Sequence, residues 1–187
     1  MKPFLILLLG VLLLHSPAFA QENNAATTYT AANGTVEFTS RAPLLEFKGV
    51  SDHLAGLIDF DQNLLDFYVD LTTIDTGIRL RNKHMNDSYL ETDRFPFAEF
   101  TGKLAQMPDL YQPTPQTAIA EGTFTIHGVS RDIRVEGTLE PTENGLQLEA
   151  RWTVLLNDYN IRRPKIVFYE LAEEQDVFIS ILLKPKN

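Results

Sequence analysis

The feature that most constrains this chain is a two-residue rhythm of apolar side chains. Leu65, Phe67, Val69 and Leu71 alternate with Asp66, Tyr68 and Asp70. Ile133, Val135, Gly137 and Leu139 alternate with Asp132, Arg134, Glu136 and Thr138. Leu146, Leu148, Ala150, Trp152, Val154 and Leu156 form the longest such series, and Val177, Ile179, Ile181 and Leu183 the last. Val36 with Phe38, and Ala118 through Ile126, add further runs. Alternation of this kind puts every second side chain on one face, so it predicts strands with one buried and one wet face. That is the habit of antiparallel sheets, since parallel strands are buried on both faces and read as continuous apolar runs. Short turn signals fall between the runs at Asn33-Gly34, Gln62-Asn63, His127-Gly128 and Asn144-Gly145. A longer Pro-containing loop is expected at residues 107–115, and a loose polar arm at 21–28. About eight such strands at close spacing predict an all-β barrel or sandwich.

One segment breaks the rhythm. Within residues 78–90, Ile78, Arg81, Met85 and Tyr89 fall at helical offsets. Asp75 and Thr76 precede it as candidate caps. A short helix is therefore expected between two strands. Phe95-Pro96 then leads into a strand through Phe100 and Leu104.

Residues 1–20 stand apart from the folding argument. Lys2 is followed by an apolar run from Phe4 to Leu14, then Pro17 and Ala18-Phe19-Ala20. The run is shorter than the ~20 residues a membrane-spanning helix needs. It reads as a cleavable export signal, with cleavage after Ala20 and one domain at 21–187. The expected location is periplasmic or secreted, with no stable membrane span.

Composition removes several function classes. The formal net charge is −9, so a phosphate backbone would be repelled and nucleic acid is not an expected partner. There is no Cys, so the core rather than a disulfide must supply stability. His53, His84 and His127 show none of the paired spacings of metal sites, and neither metal nor cofactor is expected. No nucleophile elbow and no phosphate-cradling Gly-rich loop is present. Asp75 and His84 could form an acid–base pair, but a capping Asp and a surface His are the commoner outcome. A binding protein, not an enzyme, is expected.

The inward faces mix large residues with very small ones: Gly56, Gly102, Ala118, Ala120, Gly122, Gly137 and Ala150. Small inward residues in a barrel of about eight strands leave room for one ligand, or complement large ones in a packed core. Periodicity alone leaves both open. Arg79, Arg81, Lys83 and His84 form a local basic cluster in an acidic chain. It could meet an anionic head group, or simply be a solvated helix face paired with Asp75, Asp87 and Glu91.

Three motifs carry a family resemblance. The first runs Thr73-Ile74-Asp75-Thr76, Arg81-Asn82-Lys83-His84-Met85, Ser88-Tyr89-Leu90, Phe95-Pro96 and Phe100. The second is Gly122-Thr123-Phe124-Thr125-Ile126-His127-Gly128-Val129, and the third Asp158-Tyr159-Asn160-Ile161. In that order they resemble the YceI-like, polyisoprenoid-binding proteins of bacteria. The resemblance implies an eight-stranded antiparallel lipocalin-like β-barrel with one short inserted α-helix. It also implies an exported, often dimeric protein whose lumen holds a polyisoprenoid, quinone tail or fatty acyl chain. Asp75, Arg81 and His84 are the polar family positions, placed near the barrel mouth. Phe38, Phe47, Phe67, Val69, Phe100, Phe124, Ile126, Trp152 and Val154 are the candidate ligand-binding residues. The chain departs from the family pattern at Tyr29 to Thr35, at Asp132 and at Asn157-Asp158-Tyr159. The competing expectation is a non-catalytic envelope interaction or stress protein with a filled barrel.

Overall fold

The structure is a computed structural model that describes residues 27–42, 45–162, 165–166, 169–170 and 172–186. The expected export signal, and the expected arm apart from its last two residues, lie outside the described residues. The strands are β1 (Thr28–Ala42), β2 (Leu45–Asp59), β3 (Leu64–Asp70), β4 (Phe97–Leu104), β5 (Gln116–Ile126), β6 (Val129–Thr142), β7 (Gly145–Leu155), β8 (Lys165–Ile166), β9 (Tyr169–Glu170) and β10 (Glu174–Pro185). Eight of them close into an antiparallel barrel in the order β1-β2-β3-β4-β5-β6-β7-β10, with β10 returning to β1. β8 and β9 pair separately outside it. Closure gives every barrel strand a neighbour on both sides, though β3 pairs only with Ala55–Asp59 of β2 and β7 only with Glu136–Thr142 of β6.

The meander makes the two ends of the barrel different. Turns at residues 60–63 and 143–144 and the loop at 105–115 share one end with the start of β1. That end is a floor: Ile58, Leu65, Leu104, Leu139, Leu146 and Leu183 are all buried there. The Asn63 side chain closes it further, accepting from the Leu104 N–H at 2.9 Å and donating to the Leu104 carbonyl at 3.0 Å. The other end carries residues 71–96, the His127-Gly128 turn and residues 156–162. This end is the mouth.

Several local expectations change. Asn33-Gly34 is not a turn: β1 runs straight through it, with shifts of register on either side. A Cβ at Gly34 would strike the Ile181 side chain at 2.6 Å, so the glycine serves close packing inside a bulged strand. Thr28, expected in the arm, already belongs to β1. The second-to-last turn of the barrel is Glu143-Asn144, and Gly145 opens β7 with φ 140°. The expected helix at 78–90 is a six-residue α-helix, α1 (Arg79–His84), continued by one wider π turn at Met85–Tyr89. Its N-cap is Ile78, with no side-chain cap, so Asp75 and Thr76 do not cap it.

Candidate functional site

The barrel encloses a cavity of about 740 Å³ that reaches the mouth. Its wall is almost wholly aliphatic and aromatic, contributed by all eight barrel strands and the insert between β3 and β4. The volume exists because some aromatic rings lie flat on the wall. Gly49 stands opposite Phe38 across β1–β2, and Gly56 opposite Phe67 across β2–β3. A Cβ at either glycine would sit 2.2 Å from the ring that faces it. Each ring thus occupies the place of a missing side chain instead of projecting into the lumen. Ala118, Ala120, Gly137 and Ala150 keep the far wall thin. A barrel filled by its own side chains is therefore not what forms.

Gly102 and Gly122 have another cause. They pair directly across β4–β5, and a Cβ on Gly122 would lie 2.4 Å from the Thr101 carbonyl oxygen. Their smallness permits close backbone approach under the Phe100 ring, and neither borders the lumen.

All nine apolar residues singled out from the sequence line this cavity: Phe38, Phe47, Phe67, Val69, Phe100, Phe124, Ile126, Trp152 and Val154. Phe124 anchors an aromatic cluster, edge-on to Trp152 at 5.8 Å and to Tyr159 at 5.5 Å. Arg81 and His84 also border the cavity, at its mouth, with Leu80 and Ile78 beside them. Ile78 and Leu80 are 52% and 62% exposed, an apolar rim around the opening.

Asp75 does not reach the lumen. Its backbone bridges to Val50 on β2 at 2.8 and 2.9 Å. Its carboxylate accepts from the Gly77 N–H at 2.7 Å and from the Asn82 amide at 2.7 Å. Asn82 in turn accepts from the Thr76 N–H at 2.9 Å and from its hydroxyl. The Asn82 and Gly77 hydrogen bonds hold the Asp75 carboxyl below its ordinary value of 3.8. Asp75 therefore moors α1 to the barrel. Of the basic cluster, Lys83 is paired with Asp87 and Arg79 is exposed.

One functional constellation escaped sequence reasoning. His127 sits at the β5–β6 turn with φ 54° and its side chain only 12% exposed. Its Nδ1 lies 3.1 Å from the Tyr159 carbonyl oxygen and its Nε2 3.0 Å from the Glu91 carboxylate, within hydrogen-bond distance of both, with Phe95 packed edge-on at 4.9 Å. One imidazole thus joins three mouth segments. The His127 hydrogen bond, aided by Arg94, holds the Glu91 carboxyl below the usual carboxylate range. Burial pushes the Tyr159 phenol upward. The only sequence signal was that His127 recurs in the second family motif.

No helix among the described residues is long and apolar enough to cross a membrane, and no group of three metal-ligating side chains occurs among them.

Fold and site together define a closed antiparallel barrel with a packed floor, an apolar lumen and a helix-flanked mouth. The family model of the YceI-like domain matches residues 28–183, and the chain belongs to that family. No curated protein matches the sequence. Among solved structures, it is similar to a polyisoprenoid binding domain from Saccharophagus degradans implicated in plant cell wall breakdown. That likeness has 16% identity and a TM-score of 0.72, covering 87% of this chain and 100% of that one. It is also similar to Burkholderia cenocepacia BcnA, at 16% identity and TM-score 0.68, with 81% and 96% covered. A third is the Campylobacter jejuni YCEI protein, at 18% identity and TM-score 0.63, with 79% and 90% covered. At these identities the likeness is one of fold.

Proposed function

We propose that this protein binds a lipid-like molecule by taking its long apolar chain, tail first, into the barrel lumen. The observation that carries the reading is the continuous apolar cavity of about 740 Å³, closed at one end and open at the other. At the ~30 Å³ that a water-sized group occupies in a liquid, it has room for roughly 25 non-hydrogen atoms. Each buried CH₂ contributes about 0.8 kcal/mol, so a chain of ten or more carbons would bind tightly with few polar contacts. Family membership supports the same reading, as does the isoprenoid ligand named for the Saccharophagus domain. The nine lumen residues would contact the chain, and the mouth would hold its polar end. Nothing in this arrangement calls for catalysis. The apolar leader at residues 1–20 supports an exported protein with one domain at 21–187.

Titration of delipidated protein with a fluorescent polyene fatty acid tests the reading. Saturable, one-to-one enhancement that long-chain lipids displace is expected. Absence of uptake for polyene, isoprenoid and acyl probes alike would overturn it.

A further inference from the structure

The barrel wall is incomplete on one side of the mouth. β6 pairs with β5 from Val129 onward, but with β7 only from Glu136 to Thr142. Val129 to Val135 of β6 and Trp152 to Leu155 of β7 therefore have no ladder between them. A strap of chain at residues 156–162 takes the place of that ladder. It opens with a 3-10 turn at Leu156–Tyr159 and packs against both strands. Leu156, Tyr159 and Ile161 are buried, and Leu156 and Ile161 border the lumen beside Ile133 and Trp152. The Tyr159 ring stands edge-on to Phe124 of β5. The strap is thus a piece of lumen wall built outside the sheet.

Its ties lie at its two sides. Toward β10, the Leu156 N–H donates to the Glu173 carbonyl at 3.1 Å and the Asn157 N–H to the Glu173 carboxylate at 2.8 Å. Toward β5 and β6, the one hydrogen bond among the described residues joins the Tyr159 carbonyl to His127 Nδ1. The other ring nitrogen, Nε2, faces Glu91 of the insert. A carbonyl oxygen and an ionised carboxylate only accept, so an imidazole with a single N–H cannot serve both. The imidazolium, with two, can. The bond to His127, aided by Arg94, holds the Glu91 carboxyl below the usual carboxylate range and so keeps it an acceptor. The other charges around the ring are Arg94, which lies over the Phe95 ring packed on the imidazole, and Asp158 and Arg131, which bear on the Tyr159 phenol. When the ring loses a proton, its remaining N–H goes to the stronger acceptor, the carboxylate. A nitrogen lone pair then faces the Tyr159 carbonyl, and the strap loses its tie.

Resting on the lumen reading above, we propose that residues 156–162 are a side door to the lumen, latched by protonated His127 and released when that ring loses its proton. Opening the door widens the mouth sideways, between β6 and β7. Histidine is the side chain that changes charge between pH 5 and 8. The latch is complete at the acidic end of that range, where Glu91 is still ionised, and is lost toward the alkaline end. Ligand exchange is slow with the door latched and fast with it released.

Two readouts on the full chain test this, and the first needs no ligand. Amide hydrogen exchange at residues 156–162 of delipidated protein, corrected for the intrinsic effect of pH, should quicken about 10-fold from pH 5.5 to pH 8, as expected for a lost bond to a charged group. Exchange at the floor around Leu139 should not change. The second readout is stopped-flow release of retinol, a neutral fluorescent polyene alcohol, into excess lipid vesicles. Release should speed up by a similar factor, with a midpoint that matches the titration of the His127 ring followed by NMR. His127→Asn should be fast at every pH. His53→Gln, at an exposed position of β2, should behave as the wild type does. Should His127→Asn not fold, the wild-type midpoint decides. Strap exchange or retinol release that stays constant with pH, a midpoint that does not follow the His127 ring, or a pH profile that survives in His127→Asn overturns the proposal and leaves the lumen reading standing. If retinol binds at no pH, the lumen reading is what fails, and strap exchange alone still decides the latch.

Discussion

Gly56→Ala is the substitution that bears most sharply on how the lumen is kept open. The new Cβ would stand 2.2 Å from Cδ1 and Cε1 of Phe67, where ordinary contact begins at 3.4 Å. The ring must therefore move by more than 1 Å at its near edge. Behind it is strand backbone, so the free direction is the lumen. Swung off the wall into the lumen, a ring of benzene size takes up to about 150 Å³, roughly a fifth of the available volume. In a lumen with room for roughly 25 atoms, that excludes about five chain carbons, worth ~4 kcal/mol at ~0.8 kcal/mol each. A chain long enough to fill the barrel should bind about 1000-fold more weakly. A chain of about ten carbons, which leaves the space unused, should bind almost as before. The strain itself should cost about 1–3 kcal/mol of folding stability. Calorimetric titration over a ladder of chain lengths, with circular dichroism as a check on folding, reads both effects. Equal losses at every length, or no loss at full length in a folded variant, would refute the idea that ring-over-glycine packing sets the capacity.

Other expectations follow from the mouth and the floor. His127→Asn keeps a residue tolerant of positive φ at the turn but removes the ties to Glu91 and Tyr159. It should cost about 1–3 kcal/mol in chemical denaturation and raise hydrogen exchange selectively around residues 85–95. Asp75 and Glu91 both have carboxyls lowered in the folded state. Their stabilisation is therefore complete above the ordinary carboxylate range and is lost as pH falls through the depressed folded values. Moorings of the insert should thus loosen below about pH 4, seen by hydrogen exchange before global unfolding. Asn82→Ala should bring the Asp75 carboxyl back up toward 3.8 in an NMR titration. Leu139→Ala, at a floor position 1% exposed, should cost about 2–5 kcal/mol of stability.

What could be read in advance was what is local. The alternation from Leu146 to Leu156 and from Val177 to Leu183 repeats within a single strand, so it announces both the strand and its inward face. That is why the lumen lining was legible residue by residue. The helical offsets at 78–90 likewise marked an insert. What stayed hidden depends on distant partners. Asn33-Gly34 looks like a turn, but β2 and β10 pair with β1 on either side of it and hold it within the strand. Gly102 and Gly122 looked like vacant lumen positions, but backbone packing between β4 and β5 accounts for them. Asp75 has the composition of a cap, yet the bridge to Val50 and the bond from Asn82 claim it first. His127 meets Glu91 and Tyr159 across 36 and 32 residues of sequence, a meeting that no spacing rule encodes.

A barrel that encloses a site for one long apolar chain should leave its host with that chain still inside. Native mass spectrometry of the protein as purified from its host, followed by organic extraction, would detect it. A single bound molecule per barrel, bearing one apolar chain of roughly 15 to 25 carbons, is the result predicted from a lumen of this volume. Bare protein that also fails to take up such chains when they are supplied would contradict it.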